Sequence, residues 1–188
     1  AAARSVGVLA PGQLMLSCGT SWVGFAPCPD RQAILEARLL CDPFLSARGG
    51  PWGGIFSVPC IGRTIDWYID NAIAPGEGER RLRIFNESAA EAQPGADGLT
   101  IDLRRPPQPV NADRKNVSRA VMEGAARLLH EKLRELAPHG FSFDRAVLVG
   151  GPASSPVWPR IVEEGTGLAL AIGSQHAGAE GAAIVAGI

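Results

Sequence analysis

The spacing of apolar and polar positions in the first third of the chain predicts short strands. Residues Gln13–Cys18 and 22–26 are two strand-like runs separated by Gly19, Thr20 and Ser21, a pattern typical of a β-hairpin with a small-residue tip. The pattern breaks up over residues 33–51. The glycine-rich segment 48–54 then predicts a turn before a short strand at 55–58.

The remaining two thirds alternate between helical and extended patterns. An apolar stripe predicts a helix from about Gly62 to Pro75, and residues 75–113 are charged, proline-rich and irregular, which is typical of a connector. An amphipathic helix capped by Asn111 or Asp113 follows. The last predicted elements are a strand at 145–149, a helix at 155–164, a strand at 168–172 and a small-residue helix at Ala177–Ala186. Helices and strands that alternate in this way indicate a parallel α/β layer.

Composition narrows the class of protein. The chain has 188 residues, 46% of them hydrophobic, and 18 basic residues balance 19 acidic ones, so we expect one folded domain over residues 1–188 and no nucleic-acid or membrane partner. Four cysteines without a CxxC pair indicate no metal site, and free thiols favour a cytoplasmic protein. The first residues contain no initiating Met and no signal pattern, which suggests a piece of a longer protein.

The glycines that follow two predicted strands are the first sign of chemistry. Gly150 and Gly151 come directly after a buried strand, where bare backbone at the carboxyl edge of a sheet favours a ligand, and the amides that open a helix at Ser155 point to a polar group there. The tip residues Gly19, Thr20 and Ser21 leave amides and hydroxyls for phosphate oxygens. Ordinary ligand-free turns have the same composition, and this alternative stays open.

Five segments of the sequence together resemble one family. They are 14–21, 61–67, 117–124, 147–151 and 177–183, and in this order they resemble the C-terminal domain of the FGGY carbohydrate kinases, which include xylulokinase, rhamnulokinase and glycerol kinase. The resemblance implies an α/β actin-like ATPase (ribonuclease H-like) domain, with a mixed sheet and helices on both faces. It also implies ATP and Mg²⁺ as cofactors, and transfer of the ATP γ-phosphate to a sugar or polyol hydroxyl.

The resemblance also implies roles for individual residues. Gly19 and Thr20 would face the β- and γ-phosphates, and Gly62 would line the nucleotide path with Asp66 one turn further on. Gly150 and Gly151 would lie against the adenosine. Ser155 would occupy a helix position that is often polar.

Two departures from the family limit what the chain does by itself. In the family the catalytic Asp lies a short way upstream of the hairpin, but residues 1–13 contain no Asp or Glu, so we expect that residue upstream of Ala1. An N-terminal sugar-binding domain is also expected to be absent from this chain. Around residues 98–100 many family members have a loop that contains Pro and Gly, with a Gly-Glu-Arg motif close by, whereas here residues 104–107 (Arg-Arg-Pro-Pro) follow. The Arg104–Pro109 segment is interpreted as a solvated basic loop or as a contact to a phosphate or a partner domain. The chain is therefore expected to be inactive alone. A non-catalytic nucleotide-binding or interaction module, and a homodimer, remain alternatives.

Overall fold

A computed structural model describes residues 1–45, 48–58 and 61–187, and the strands in this part of the chain form one mixed sheet. The order in the sheet is β3-β4-β2-β1-β5-β6. β1 pairs in parallel with β5, which pairs in parallel with β6, whereas the pairs β1–β2, β2–β4 and β3–β4 are antiparallel. The strands are β1 Gln13–Cys18, β2 Trp22–Cys28, β3 Leu40–Pro43, β4 Trp52–Val58, β5 Arg145–Gly150 and β6 Ala169–Ile172.

Helices cover both faces of this sheet. They are α1 Ala2–Ser5, α2 Arg31–Glu36, α3 Ile61–Tyr68, α4 Arg81–Glu91, α5 Arg114–Leu136, α6 Trp158–Thr166 and α7 Ala177–Ala186. α3 continues as a π-helical segment, Ile69–Ile73, and a 3₁₀ turn at Gly151–Ser154 separates β5 from α6.

Alternating side chains of β1 show how the two faces are filled. Leu14 and Leu16 belong to the larger core, which α3, α4, α5 and α6 cover, whereas Met15 belongs to a smaller core beneath α1 and α7. Successive side chains of a strand point to opposite faces, so this alternation buries the middle of β1 from both sides. The predicted mixed sheet with helices on both faces is confirmed.

Several elements lie where the sequence predicts them. The hairpin of β1 and β2, the strand β5 and the helix α7 all have the expected positions, and Asp113 is the N-cap residue of α5. Each of these elements carries its own periodic apolar pattern, so local sequence is sufficient to predict it.

Residues 31–58 contain more regular structure than the sequence predicts. α2 and β3 occupy the region where the apolar pattern breaks up, and β4 begins at Trp52 instead of residue 55. A Cβ atom on Gly53 would lie 2.4 Å from Cε2 of Phe25 on the neighbouring strand. This glycine therefore makes room for an aromatic ring inside a strand and does not form part of a turn.

The prediction of an irregular connector over residues 75–113 is wrong for residues 81–91, which form α4. Ile84, Phe85, Ser88 and Ala89 form its buried face, and Phe85 is fully buried in the larger core. The rest of α4 is mostly polar, so the short stripe is hard to recognise in a charged segment. Packing against the core stabilises the helix.

The helix predicted to begin at Ser155 begins at Trp158. Ser155 has an extended backbone (φ −78°, ψ 136°). Its Oγ accepts hydrogen bonds from the backbone amides of Val157 and Trp158, at 3.3 and 3.0 Å. Amides at the start of a helix have no partners within the helix, and the Ser155 hydroxyl supplies an acceptor for them.

An ion-pair network fixes α6 against α5. Arg119, whose side chain is almost fully buried, donates to Glu123 at 2.7 Å and to Glu164 at 2.8 Å. Burial alone would raise the pKa of Glu164, but hydrogen bonds from Arg160 and Arg119 outweigh it and lower the pKa. The carboxylate of Glu164 therefore stays ionised, and this supports the close packing of α6 on α5.

The helices of the described residues are short or contain many polar positions. No helix there is both long enough and apolar enough to cross a bilayer.

Candidate functional site

The carboxyl ends of β1 and β5 meet at one edge of the sheet. Cys18, the last residue of β1, pairs in register with Gly150, the last residue of β5. The hairpin tip at 19–21 and the turn at Gly151–Ser154 follow these two residues, so both connections leave the sheet at the same edge. Ligands of α/β proteins bind in this kind of position, at the carboxyl ends of parallel strands.

Gly150 is at a position that only glycine fits well. Its backbone has φ +92° and ψ −167°, a region that L residues with a side chain rarely adopt. A Cβ atom there would also lie 2.5 Å from the carbonyl oxygen of Cys18. The glycine therefore lets the chain leave β5 in close contact with the backbone of β1.

Gly62 brings the start of α3 against the hairpin tip. Its amide donates to the carbonyl oxygen of Thr20 at 2.9 Å. A Cβ atom on Gly62 would lie 2.6 Å from both the carbonyl oxygen of Gly19 and the Cα atom of Thr20. This contact requires glycine, and it places the first turn of α3 beside the backbone of the tip.

Gly19 and Gly151 differ from the two glycines above because space remains around them. Both are exposed, and a Cβ atom at either position would have no neighbouring atom within 4 Å. We define the glycine edge as Gly19, Thr20, Gly62, Gly150 and Gly151. Two of its glycines, Gly62 and Gly150, hold the backbone segments together, and the other two leave an open surface of bare backbone.

The polar groups of the glycine edge are mainly neutral. Thr20 is exposed and Ser21 is half-buried, and both carry hydroxyls next to the backbone amides of the tip. Burial raises the pKa of the Cys18 thiol well above its ordinary value, so this sulfur stays protonated beneath the edge and is a poor nucleophile. Amides and hydroxyls of this kind can donate hydrogen bonds to an anion.

Asp66 and Ser155 already have partners within the protein. Asp66 pairs with Arg81 of α4 at 3.2 Å, and the same guanidinium contacts Asp70 at 2.8 Å. Ser155 is buried, and its hydroxyl donates to Oδ1 of Asn86 at 2.5 Å. The structure thus joins both residues to α4, while their predicted contacts with a nucleotide stay predictions.

Charged groups outside the glycine edge offer no metal site among the described residues. Among residues 1–45, 48–58 and 61–187, no three His, Cys, Asp or Glu side chains are grouped so that they could hold a metal ion. Arg104 pairs with Asp102 at 3.0 Å and with Glu131 of α5 at 2.9 Å. The pair with Glu131 ties Arg104 to α5, and residues 104–106 are exposed, as they would be in a solvated loop. Cys18, Cys28 and Cys41 are free thiols, and Cys60 lies outside the described residues.

Sequence reasoning missed the part of α4 that supports the glycine edge. The Phe85 ring lies 5.5 Å from the Trp158 ring, and Trp158 lies 5.8 Å from Trp22, the residue that follows the hairpin tip. The sequence signal for this helix is its buried stripe of Ile84, Phe85, Ser88 and Ala89. The stripe indicates a helix but carries no information about its partners.

Known proteins provide an independent comparison. No family model and no curated protein sequence matches the chain. Solved structures do: the xylulose kinase from Rhodospirillum rubrum is 20% identical, with a TM-score of 0.75 over 95% of this chain and 38% of its own. A ligand-bound xylulose kinase from Lactobacillus acidophilus is 16% identical, with a TM-score of 0.77 over 98% of this chain and 40% of its own.

A polyol kinase has the same fold. The Plasmodium falciparum glycerol kinase solved with ADP is 14% identical, with a TM-score of 0.73 over 98% of this chain and 40% of its own. The chain thus spans about two fifths of the length of these neighbours. At such identities the likeness concerns the fold. The chain has the α/β actin-like ATPase fold that sugar and polyol kinases contain, and its resemblance to the FGGY carbohydrate kinases is confirmed at that level.

Proposed function

We propose that this chain is the ATP-binding half of a kinase that transfers the ATP γ-phosphate to a sugar or polyol hydroxyl. The observation that carries the proposal is the glycine edge. Gly19 and Gly151 follow the carboxyl ends of two parallel strands, Gly62 contacts the hairpin tip, and the backbone at Gly19 and Gly151 faces open space. A nucleotide needs such access, because its phosphates bind backbone amides and its flat base needs a wall without side chains.

The residues of the edge fit a polyphosphate chemically. Amides and the hydroxyl of Thr20 would bind the β- and γ-phosphates at the hairpin tip, and Gly62 would let α3 approach the same position. Gly150 and Gly151 would form the wall against the adenosine, with Ser155 behind them. Asp66, in the first turns of α3, would hold the side chain of Arg81 of α4 beside the site.

Mg²⁺ fits this arrangement through the phosphates. In proteins Mg²⁺ usually retains several waters and binds one or two carboxylates together with substrate phosphates. When bound with ATP it neutralises the charge that develops during phosphoryl transfer. The chain's own contribution is to orient the nucleotide, because this reaction depends mainly on positioning and electrostatic stabilisation.

The other half of the reaction is assigned to a second domain of the same protein. The structural neighbours are more than twice as long as this chain, which leaves room for an N-terminal domain that binds the sugar. A base must also accept the proton of the sugar hydroxyl. Residues 1–13, which lead into β1, offer no carboxylate for this purpose. We therefore assign the base to the remainder of the complete protein and expect no turnover from this chain alone.

Sugar-dependent ATP consumption tests the proposal. The protein in its complete natural length is incubated with MgATP and a panel of sugars and polyols, and ADP formation is followed. We expect turnover of about 1–100 s⁻¹ with at least one acceptor, as is usual for kinases, and none without an acceptor.

The same assay on residues 1–188 separates the alternatives. The isolated chain is expected to show no sugar-dependent turnover, and rapid turnover would contradict its assignment as half of a cleft. If the complete protein binds ATP but no acceptor is phosphorylated, the non-catalytic nucleotide-binding module is favoured. The cytoplasmic location and the homodimer stay predictions of the sequence.

A further inference from the structure

We propose that Asn86 of α4 is a positioning residue for the adenosine side of the glycine edge and acts through Ser155. This inference rests on the proposed function, because it concerns how tightly the same site binds ATP. Nothing in the sequence links the two residues, which lie 69 positions apart. The link depends on a helix in the segment that the sequence suggests is an irregular connector.

The first step of the argument is the hydrogen bond itself. The Ser155 hydroxyl donates to Oδ1 of Asn86 at 2.5 Å, and Ser155 is only 8% exposed. Oγ of Ser155 also accepts hydrogen bonds from the backbone amides of Val157 and Trp158. The buried hydroxyl of Ser155, four residues after Gly151, thus joins α4 to the start of α6.

The second step is that Asn86 is itself held in one orientation. Its Nδ2 donates to the carbonyl oxygen of Leu82, one turn earlier in α4, at 2.8 Å. With the amide nitrogen occupied, Oδ1 remains as the acceptor for Ser155. The half-buried side chain is therefore oriented by its own helix before it contacts Ser155.

The third step concerns the rest of α4. Phe85 packs on Trp158 at the start of α6, and Arg81 pairs with Asp66 of α3. Packing and ion pairs set the distance of α4 from these elements. The Asn86–Ser155 hydrogen bond fixes the orientation of the residue that directly follows the turn Gly151–Ser154.

Loss of the acceptor would leave the Ser155 hydroxyl buried without its partner. An unsatisfied buried donor is costly, so Ser155 would turn and the preceding 3₁₀ turn, Gly151–Ser154, would shift with it. A flat wall holds a nucleotide only when its position is fixed. We therefore expect weaker ATP binding while α4 and the core remain folded.

The experiment measures the ATP dissociation constant of the complete protein by isothermal titration calorimetry in the presence of Mg²⁺. Asn86→Ala is expected to weaken ATP binding about three- to tenfold, the range for loss of one hydrogen bond. Asn86→Asp retains an oxygen acceptor for Ser155 but cannot donate to the carbonyl oxygen of Leu82, so it is expected to recover part of the affinity that Asn86→Ala loses. A structural role for the helix alone would not produce this rescue.

Asn71 provides a matched control on another helical segment. Its Nδ2 donates to the carbonyl oxygen of Trp67 at 2.8 Å, the same bond over four residues that Asn86 makes. Asn71→Ala is therefore expected to leave the ATP affinity unchanged. Equal losses in Asn71→Ala and Asn86→Ala, or an Asn86→Asp protein as weak as Asn86→Ala, would overturn the inference.

The two levels of the account fail in different ways. If the unsubstituted protein binds ATP and Asn86→Ala binds it equally well, the positioning role is wrong and the proposed function stands. If the unsubstituted protein binds no ATP, the proposed function is wrong and the positioning role is wrong with it.

Discussion

Replacing Gly150 by alanine is expected to lower the free energy of unfolding by about 3 kcal/mol. Two costs combine at this position. The backbone at φ +92° and ψ −167° is strained for any residue with a side chain. The new methyl group would also lie 2.5 Å from the carbonyl oxygen of Cys18, so β5 would have to move away from β1.

Urea unfolding of the Gly150→Ala protein measures this loss. Gly178→Ala is the control, because Gly178 lies within α7 with an ordinary φ and no atom within 4 Å of a Cβ there. Alanine has a higher helix propensity than glycine, so the Gly178→Ala substitution is expected to raise the free energy of unfolding by about 0.5–1 kcal/mol. Equal stabilities of Gly150→Ala and the unsubstituted protein would contradict the close approach of the two strand ends.

Replacing the next residue, Gly151, by leucine is expected to abolish most ATP binding without unfolding the protein. Gly151 is exposed, its φ is ordinary, and no atom lies within 4 Å of a Cβ there. The leucine side chain would therefore project into the open space that the proposed adenosine needs. We expect ATP affinity to fall about tenfold or more, equivalent to about 1.4 kcal/mol.

Calorimetric titration with MgATP measures the loss, and thermal unfolding checks that the fold is intact. Gly49→Leu is the matched control. Gly49 is also exposed with open space around it, and it precedes β4 at the end of the sheet opposite the glycine edge. If Gly151→Leu binds ATP as tightly as Gly49→Leu does, Gly151 does not line the nucleotide.

The contrast between Gly150 and Gly151 shows what the sequence can and cannot predict at the site. Both glycines are predicted as ligand contacts from the same Gly-Gly pair after a strand. Only the fold shows that the carbonyl oxygen of Cys18 leaves no room for a Cβ atom at Gly150, whereas Gly151 faces open space. The contact between Gly62 and Thr20 likewise depends on how α3 returns to the hairpin, and no local pattern encodes it.

The fold was predictable where an element carries its own pattern. β1 contains a short continuous apolar run, and α5 has a long apolar stripe with Asp113 before it, so both follow from a short window of sequence. Gly53 was misinterpreted as part of a turn because its requirement comes from the Phe25 ring on a neighbouring strand. α4 was missed because its buried stripe is short and its stability depends on contacts with distant residues.

Hydrogen–deuterium exchange of the complete protein, with and without MgATP, tests most directly whether the glycine edge binds nucleotide. Binding should slow exchange of the amides it covers or orders. We predict protection in peptides that cover residues 18–22, 61–66 and 150–157. Unchanged exchange in these three segments at saturating MgATP would contradict the account. Protection confined to another surface, such as the cavity lined by Arg119, Glu123 and Glu164 between α5 and α6, would contradict it equally.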